Sequence, residues 1–293
     1  MGLILDVPTN LGLRPPAPGC VPGVDKAPQA LRSAGLHEAL SDQGWREGKP
    51  LIAGRYRPET TPGQVRNQDA ILAHAHRLAD VVNSALIRGD RCLLLGGDCS
   101  TPLGVSLGLA RRGRYGLVHI DGHTDFRHPG NSDAVANLAG EDLACATGFH
   151  YRQLSDIDGL APYITPGDVI HAGCRDDDAH LQECRQVLGA VFPAVEWMTD
   201  ERRVDSAFTD LRDRTDLDGY WVHVDVDVLD PSYLPAVDSP DPEGITPDLL
   251  TRALAALWRR AAGMTVGILD PDLDPDGRYA SLITGVVLAA LGR

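Results

Sequence analysis

The chain has no surplus of basic residues, no long apolar run and no CxxC pair. Lys and Arg number 27 against 41 Asp and Glu, a formal charge of −14. Nucleic acid and anionic membrane both demand a basic face, so neither is an expected partner. No apolar stretch approaches the ~18–20 residues that span a bilayer. The N-terminus, Met1 to Pro8, has no basic n-region and no long apolar core, and does not read as a signal peptide. The 6 cysteines, at 20, 92, 99, 145, 174 and 184, suit reduced, mostly buried thiols in a cytoplasmic protein. Internal repeats and low-complexity segments are also missing. With 43% hydrophobic and 23% charged residues, the composition excludes wholesale disorder.

Strand-like and helix-like runs alternate throughout. Apolar runs at 91–95, 115–120, 168–172, 220–228 and 264–269 are bounded by Gly or Asp, the signature of parallel strands buried on both faces. Helical spacing is expected over 62–87, over 248–262 behind the start signal Thr246-Pro247, and over 281–291. Two segments are loop-rich, 15–22 and 231–247, and neither reads as a linker because the alternation resumes on both sides. The expectation is a single α/β domain over 1–293, with a mainly parallel sheet whose strand order is not readable from the pattern.

The informative feature is where the acids sit. Three strands run into clusters of metal-type donors: Gly96-Gly97-Asp98-Cys99-Ser100, Asp121-Gly122-His123-Thr124-Asp125, and His223-Val224-Asp225-Val226-Asp227-Val228-Leu229-Asp230-Pro231. Ligands in open α/β sheets collect beyond the carboxyl ends of the strands. On an extended strand Asp225 and Asp227 share one face, and Asp121, His123 and Asp125 repeat that spacing. Buried side by side, four aspartates cost several kcal/mol each unless cations compensate, and two divalent ions would neutralise them. Carboxylate with imidazole suits Mn, Co, Fe or Zn.

These boxes resemble those of the ureohydrolase superfamily: arginase, agmatinase, formimidoylglutamase and relatives. The family motifs are Gly-Gly-Asp-His-Ser, Asp-Ala-His-x-Asp and Ser-x-Asp-x-Asp-x-x-Asp-Pro, and all three stand here in order, slightly altered. The segment Gly23 to Arg32 is similar to the family's opening Gly-x-x-x-x-Pro-x-x-Leu-Arg pattern. The resemblance covers nearly the whole chain. It implies a three-layer α/β/α fold of the arginase–deacetylase type. It also implies hydrolysis of a C–N bond at the planar carbon of a linear guanidino or amidino compound. Asp121 and Asp225 would bridge two divalent metal ions, Cys99 and Asp125 would complete one side, and His123 and Asp227 the other. Asp125 would take the proton of the attacking water and pass it to the leaving nitrogen. Manganese is the expected metal, with Zn, Fe, Co or Ni admitted by Cys99. The substrate is a small molecule, and relatives are commonly homo-oligomers.

Four positions depart from the family pattern. Cys99 stands at the first-box histidine, as in some hydroxyarginine-cleaving members. It acts either as a soft thiolate ligand, which favours Zn or Fe over Mn, or as a small buried thiol. Ala139, in Asn137-Leu138-Ala139-Gly140, replaces the family's proton-shuttling histidine. His128, Glu141 and His223 are the substitutes on offer, and Glu141, beside the missing histidine, is preferred as a catalytic residue. Ile268 falls where the family's guanidinium-binding glutamate sits, which makes Asp270 the nearest replacement. Arg127, two residues beyond Asp125, could bind a substrate carboxylate through a bidentate contact, with Asn137 as a further substrate contact. Two rival readings remain at this stage. Deacetylases share the fold, but lack the paired Asp-x-Asp of the last box. A catalytically altered metal-binding pseudoenzyme or regulatory subunit is favoured by Ala139 and Ile268, and opposed by the complete acid set.

Overall fold

A computed structural model of the chain describes residues 2–292; Met1 and Arg293, the ends of the expected 1–293 domain, lie outside them. Eight strands form one sheet: β1 (Gly2–Val7), β2 (Arg46–Glu47), β3 (Arg91–Gly96), β4 (Tyr115–Ile120), β5 (Val169–Ala172), β6 (Ala190–Phe192), β7 (Gly219–Asp225) and β8 (Gly263–Gly267). Their order is β2-β1-β3-β8-β7-β4-β5-β6, and every pairing is parallel. Helices cover both faces, giving the three-layer α/β/α architecture. Parallel pairing requires crossovers, and the helices that make them bury the sheet on both sides. That is why β3, β4, β7 and β8 read as unbroken apolar runs. One face packs Val118, Ile120, Val222, Val224 and Met264 against the helices Pro247–Trp258 and Arg278–Leu291. The other packs Leu117, Val169 and Trp221 with Leu78 and Val82 of the helix Gln68–Ile87 and Val105 of Thr101–Ala110.

Three strands escape the sequence reading. β1 is buried but follows no turn signal, β2 is a two-residue exposed edge, and β6 has three residues. The expected helix at 62–87 begins only at Gln68, behind Asn67 at a left-handed φ of 55°. The Thr246-Pro247 start holds: Thr246 Oγ1 accepts from Leu249 N at 3.2 Å. The expected strand 220–228 stops at Asp225, where its carboxylate accepts from Asp227 N at 2.8 Å and turns residues 226–228 into one 3₁₀ turn. Among the described residues, no helix is long and apolar enough to cross a membrane.

Candidate metal centre and active-site cleft

β3, β8, β7 and β4 are consecutive in the sheet, so their carboxyl ends open onto one crevice. The turn after β3 needs its glycines. A Cβ on Gly97 would lie 1.7 Å from the Thr9 carbonyl oxygen, while Gly97 O accepts from Ile268 N at 2.8 Å. Asp98 holds this turn: it accepts from Ser100 Oγ at 2.6 Å and from the Gly12 amide. Cys99 is thereby fixed, fully buried, at the crevice floor.

The second box lies wholly beyond β4. Asp121 Oδ1 accepts from His123 N at 2.7 Å, an Asx turn, and Asp125 adopts a φ of 45°. The shared strand face expected of both aspartate boxes is therefore not what brings them together. The same residues converge, but self-bonded turns aim them where the pleat was expected to. Gly122 makes the approach of the two boxes feasible. Its amide donates to Asp227 Oδ1 at 2.9 Å, and a Cβ there would lie 2.8 Å from Asp227 O. Buried Arg175 ties the returning loop 231–247 to this point, donating to Asp227 O at 3.0 Å, Pro242 O at 3.0 Å and Asp241 O at 2.6 Å.

The donors meet in two groups. On one side Cys99 Sγ is 3.1 Å from Asp225 Oδ2 and 3.4 Å from His223 Nε2, and Cys99, Asp121 and His223 offer ligand atoms within 4.8 Å of one another. On the other, His123 Nδ1 is 2.8 Å from Asp227 Oδ2 and 3.8 Å from Asp121 Oδ1. Burial pushes the carboxyls of Asp121, Asp125 and Asp225 well above the usual range, and neighbouring carboxylates add to it. Burial also raises Asp142, which faces Asp125, to about 8. The Asp227 carboxylate drives His123 up to about 11, against the opposing pull of burial. Asp227 itself is held low by His123, which outweighs the burial that would raise it. Among the described residues, Asp121 Oδ2 and both Asp142 oxygens are buried with no amide, imidazole or hydroxyl partner. A cluster of this kind fits divalent cations, which satisfy orphaned carboxylate oxygens and offset the repulsion.

Above the donors lies an open cavity of about 200 Å³, lined by His123, Asp125, Asp225 and Asp227 at its floor and by Arg14, Arg127, Asn137 and His180 around it. Ala139 and Ile268 also line it, so the positions that depart from the family pattern do face the cleft. Ile268 sits at a φ of 72°, an uncommon conformation for a β-branched residue. Arg127 is half-buried and has no ion-pair or hydrogen-bond partner among the described residues. Asn137 Oδ1 accepts from Arg66 Nε at 3.1 Å, which orients its amide.

Two expected site residues are not brought to the cleft. Glu141 is fully buried and turned inward: one oxygen accepts from Ala136 N at 2.8 Å and Asn137 N at 3.0 Å, the other lies 2.9 Å from His150 Nε2. It braces the Asn137 loop, and the expectation of a proton shuttle is corrected. Asp270 is corrected likewise: it accepts from Gly23 N at 3.3 Å and Asp272 N at 2.9 Å, capping the turn Pro271–Leu273. His128 is also committed elsewhere, at 3.1 Å from Glu183 Oε1 and edge-on to Phe126. His119 and Asp142 were missed. The His-x-Asp spacing of His119 with Asp121 was the available signal, since it repeats that of His223 with Asp225.

A sequence model of the arginase family matches residues 16–292. The chain belongs to the arginase family. Members of this family are hydrolases of C–N bonds in amidino and guanidino compounds and carry a binuclear metal centre. The arginase of Bacillus caldovelox is 31% identical over 235 residues, covering 76% of this chain and 77% of that protein. The arginase of Agrobacterium fabrum is 30% identical over an alignment of 311 positions, covering 99% and 90%. The native structure of Bacillus caldovelox arginase superposes with a TM-score of 0.88 at 28% identity, covering 99% of this chain and 98% of that one. Formimidoylglutamase from Bacillus subtilis shares the fold, with a TM-score of 0.73 at 19% identity over 99% and 86% of the two chains.

Proposed function

We propose that this arginase-family chain is a binuclear metal hydrolase of a linear guanidino or amidino compound that carries a carboxylate at its other end. The observation that carries the reading is a cleft with a buried acid cluster at its floor and an unpaired guanidinium, Arg127, in its wall. Cys99, Asp121, His123, Asp125, Asp225 and Asp227 would hold the two ions. Bound there, divalent ions supply Lewis-acid activation of water and neutralise the carboxylates.

The chain's own residues supply the rest. Asp125 lines the cavity, and burial raises its carboxyl well above the usual range, which strengthens its carboxylate as the acceptor of a proton from water for return to the leaving nitrogen. Arg127 binds the substrate carboxylate through a charge-assisted contact, and Asn137, oriented by Arg66, hydrogen-bonds the same end. Two cavity carboxylates stand outside the donor cluster: Asp178 is committed to the amides of Thr124 and His180, so Asp238 takes the cationic head that Ile268 cannot.

A second reading, a metal-binding pseudoenzyme, rests on Ala139 and Ile268 facing the cleft. Elemental analysis together with turnover on a panel of guanidino compounds separates the two. The hydrolase reading expects at least two ions per chain, cleavage of a carboxylate-bearing member, and its abolition by either Asp125→Asn or Asp227→Asn. Ions without any turnover would leave the pseudoenzyme. A chain that takes up no metal on reconstitution would overturn both.

A further inference from the structure

Beneath the cleft the sheet carries a row of three histidines, of which only His223 falls within a donor box. His119 on β4 is the register partner of His171 on β5 and of His223 on β7. Side chains at paired positions of neighbouring strands share a face, so the three imidazoles stand side by side. The ring centroids of His119 lie 5.1 Å from His171 and 5.0 Å from His223. All three are at most 1% exposed. Asp142, at the start of the short helix Asp142–Ala146, closes over them and is equally buried.

Their polar atoms are mostly uncommitted. Among the described residues, no amide, imidazole or hydroxyl hydrogen-bonds His119 Nε2, His223 Nδ1 or either Asp142 oxygen, and Asp142 meets only the carboxyl of Asp125. His119 Nε2 lies 3.6 Å from Asp142 Oδ1 and 3.7 Å from Asp121 Oδ2. Those separations are too long for hydrogen bonds. They are close to the ~3.3 Å spacing of donors around an ion with tetrahedral bonds of about 2.0 Å. His119, His223 and Asp142 offer ligand atoms within 4.8 Å of one another, and Cys99 Sγ lies 3.4 Å from His223 Nε2 at the edge of the group. His171 completes the arrangement from behind. Its Nδ1 is 3.0 Å from His119 Nδ1. With the proton on His119 Nδ1, that bond fixes the ring and leaves Nε2 as a lone pair aimed at Asp142, the usual support of a metal-ligating imidazole.

We propose that His119, His223 and Asp142 form an inner metal position, one layer below the cleft, with Cys99 at its border. Two imidazoles, a carboxylate and a neighbouring thiolate select a borderline ion such as Zn²⁺ or Co²⁺ over Mn²⁺. The position goes beyond the hydrolase reading and stands whether or not the cleft turns over a guanidino compound.

The test uses the full chain stripped by chelator, reloaded with Zn²⁺ or Co²⁺, desalted and counted by inductively coupled plasma mass spectrometry. The double variant Asp125→Asn with Asp227→Asn removes a donor from each side of the cleft. It should keep one ion per chain and, with Co²⁺, the strong visible bands of a low-coordinate nitrogen- and sulfur-rich site. Adding His119→Phe should remove that ion and those bands, and the near-isosteric Asp142→Asn should do the same where His119→Phe does not fold, as judged by circular dichroism. Complete loss of metal from the double variant would overturn the inner position and leave the hydrolase reading intact. So would an unchanged count and cobalt spectrum in the His119 or Asp142 variants. No metal in the wild-type chain would overturn both.

Discussion

His123 Nδ1 lies 2.8 Å from Asp227 Oδ2, so a half-buried residue from the turn after β4 and a buried one from the turn after β7 form a pair at the floor of the cleft. The pair sets a pH dependence that metal should erase. His123 is raised to about 11 by Asp227, so the stability it contributes is present below its ordinary value of 6.5 and is lost as pH rises through about 11. Asp142, raised to about 8 by burial, has the same sign: the folded state holds a proton that the unfolded chain releases near 3.8. Burial depresses His119, to about 3, and His223, and these act oppositely, but their contribution is complete above 6.5. Metal-free protein should therefore lose stability as pH rises from about 7 to about 9, and saturating metal should flatten the slope. Thermal unfolding in chelator at three pH values checks it; a melting temperature that rises over that range contradicts the proton count.

Cys99 is the residue that most alters the donor set. Sulfur 3.1 Å from Asp225 Oδ2 adds negative charge to an already acidic group once it ionises. Cys99→His should keep the fold and move preference toward Mn²⁺, because imidazole is neutral and harder than thiolate. Competitive titration with Mn²⁺ and Zn²⁺ reads this directly. Identical preferences in the two proteins would mean that the thiol is not a ligand.

Arg127 should govern recognition of the substrate's far end. A lost charge-assisted bond of about 1.5–3 kcal/mol corresponds to a rise in KM of roughly 10–100-fold. Arg127→Ala should show that rise for a guanidino acid, with kcat little changed, and leave a carboxylate-free guanidine untouched. Equal effects on both substrates, or a wild-type preference for the carboxylate-free one, would remove Arg127 from the binding role.

Glu141 should matter to stability and not to the chemical step. Glu141→Ala strands the amides of Ala136 and Asn137, and each unsatisfied buried group costs about 1–3 kcal/mol. Glu141→Gln keeps an acceptor for those amides and should recover most of the loss. Urea unfolding measures both. Loss of turnover in the alanine variant at undiminished stability would restore the proton role.

The three donor boxes were legible in the sequence because each is a local unit: a strand, a glycine, and polar residues that bond their own backbone. Asp121, His123, Asp125, Asp225 and Asp227 stand out from that alone, and the family resemblance adds Cys99; the parallel sheet shows in apolar runs too continuous for a half-exposed strand. The helix start at Thr246-Pro247 is local in the same way. What the sequence left open depends on direction and neighbourhood. Glu141 and Asp270 stand beside the positions where a functional group was expected, but backbone amides and His150 draw Glu141 inward, while the amides of Gly23 and Asp272 hold Asp270 in a cap. Asp227 reached its place through a 3₁₀ turn that the alternation of a strand does not describe. The row His119, His171 and His223 is scattered over more than a hundred residues of chain. Only the strand order β5-β4-β7, fixed by long-range pairing and invisible to any local pattern, sets the three rings against one another under the metal donors.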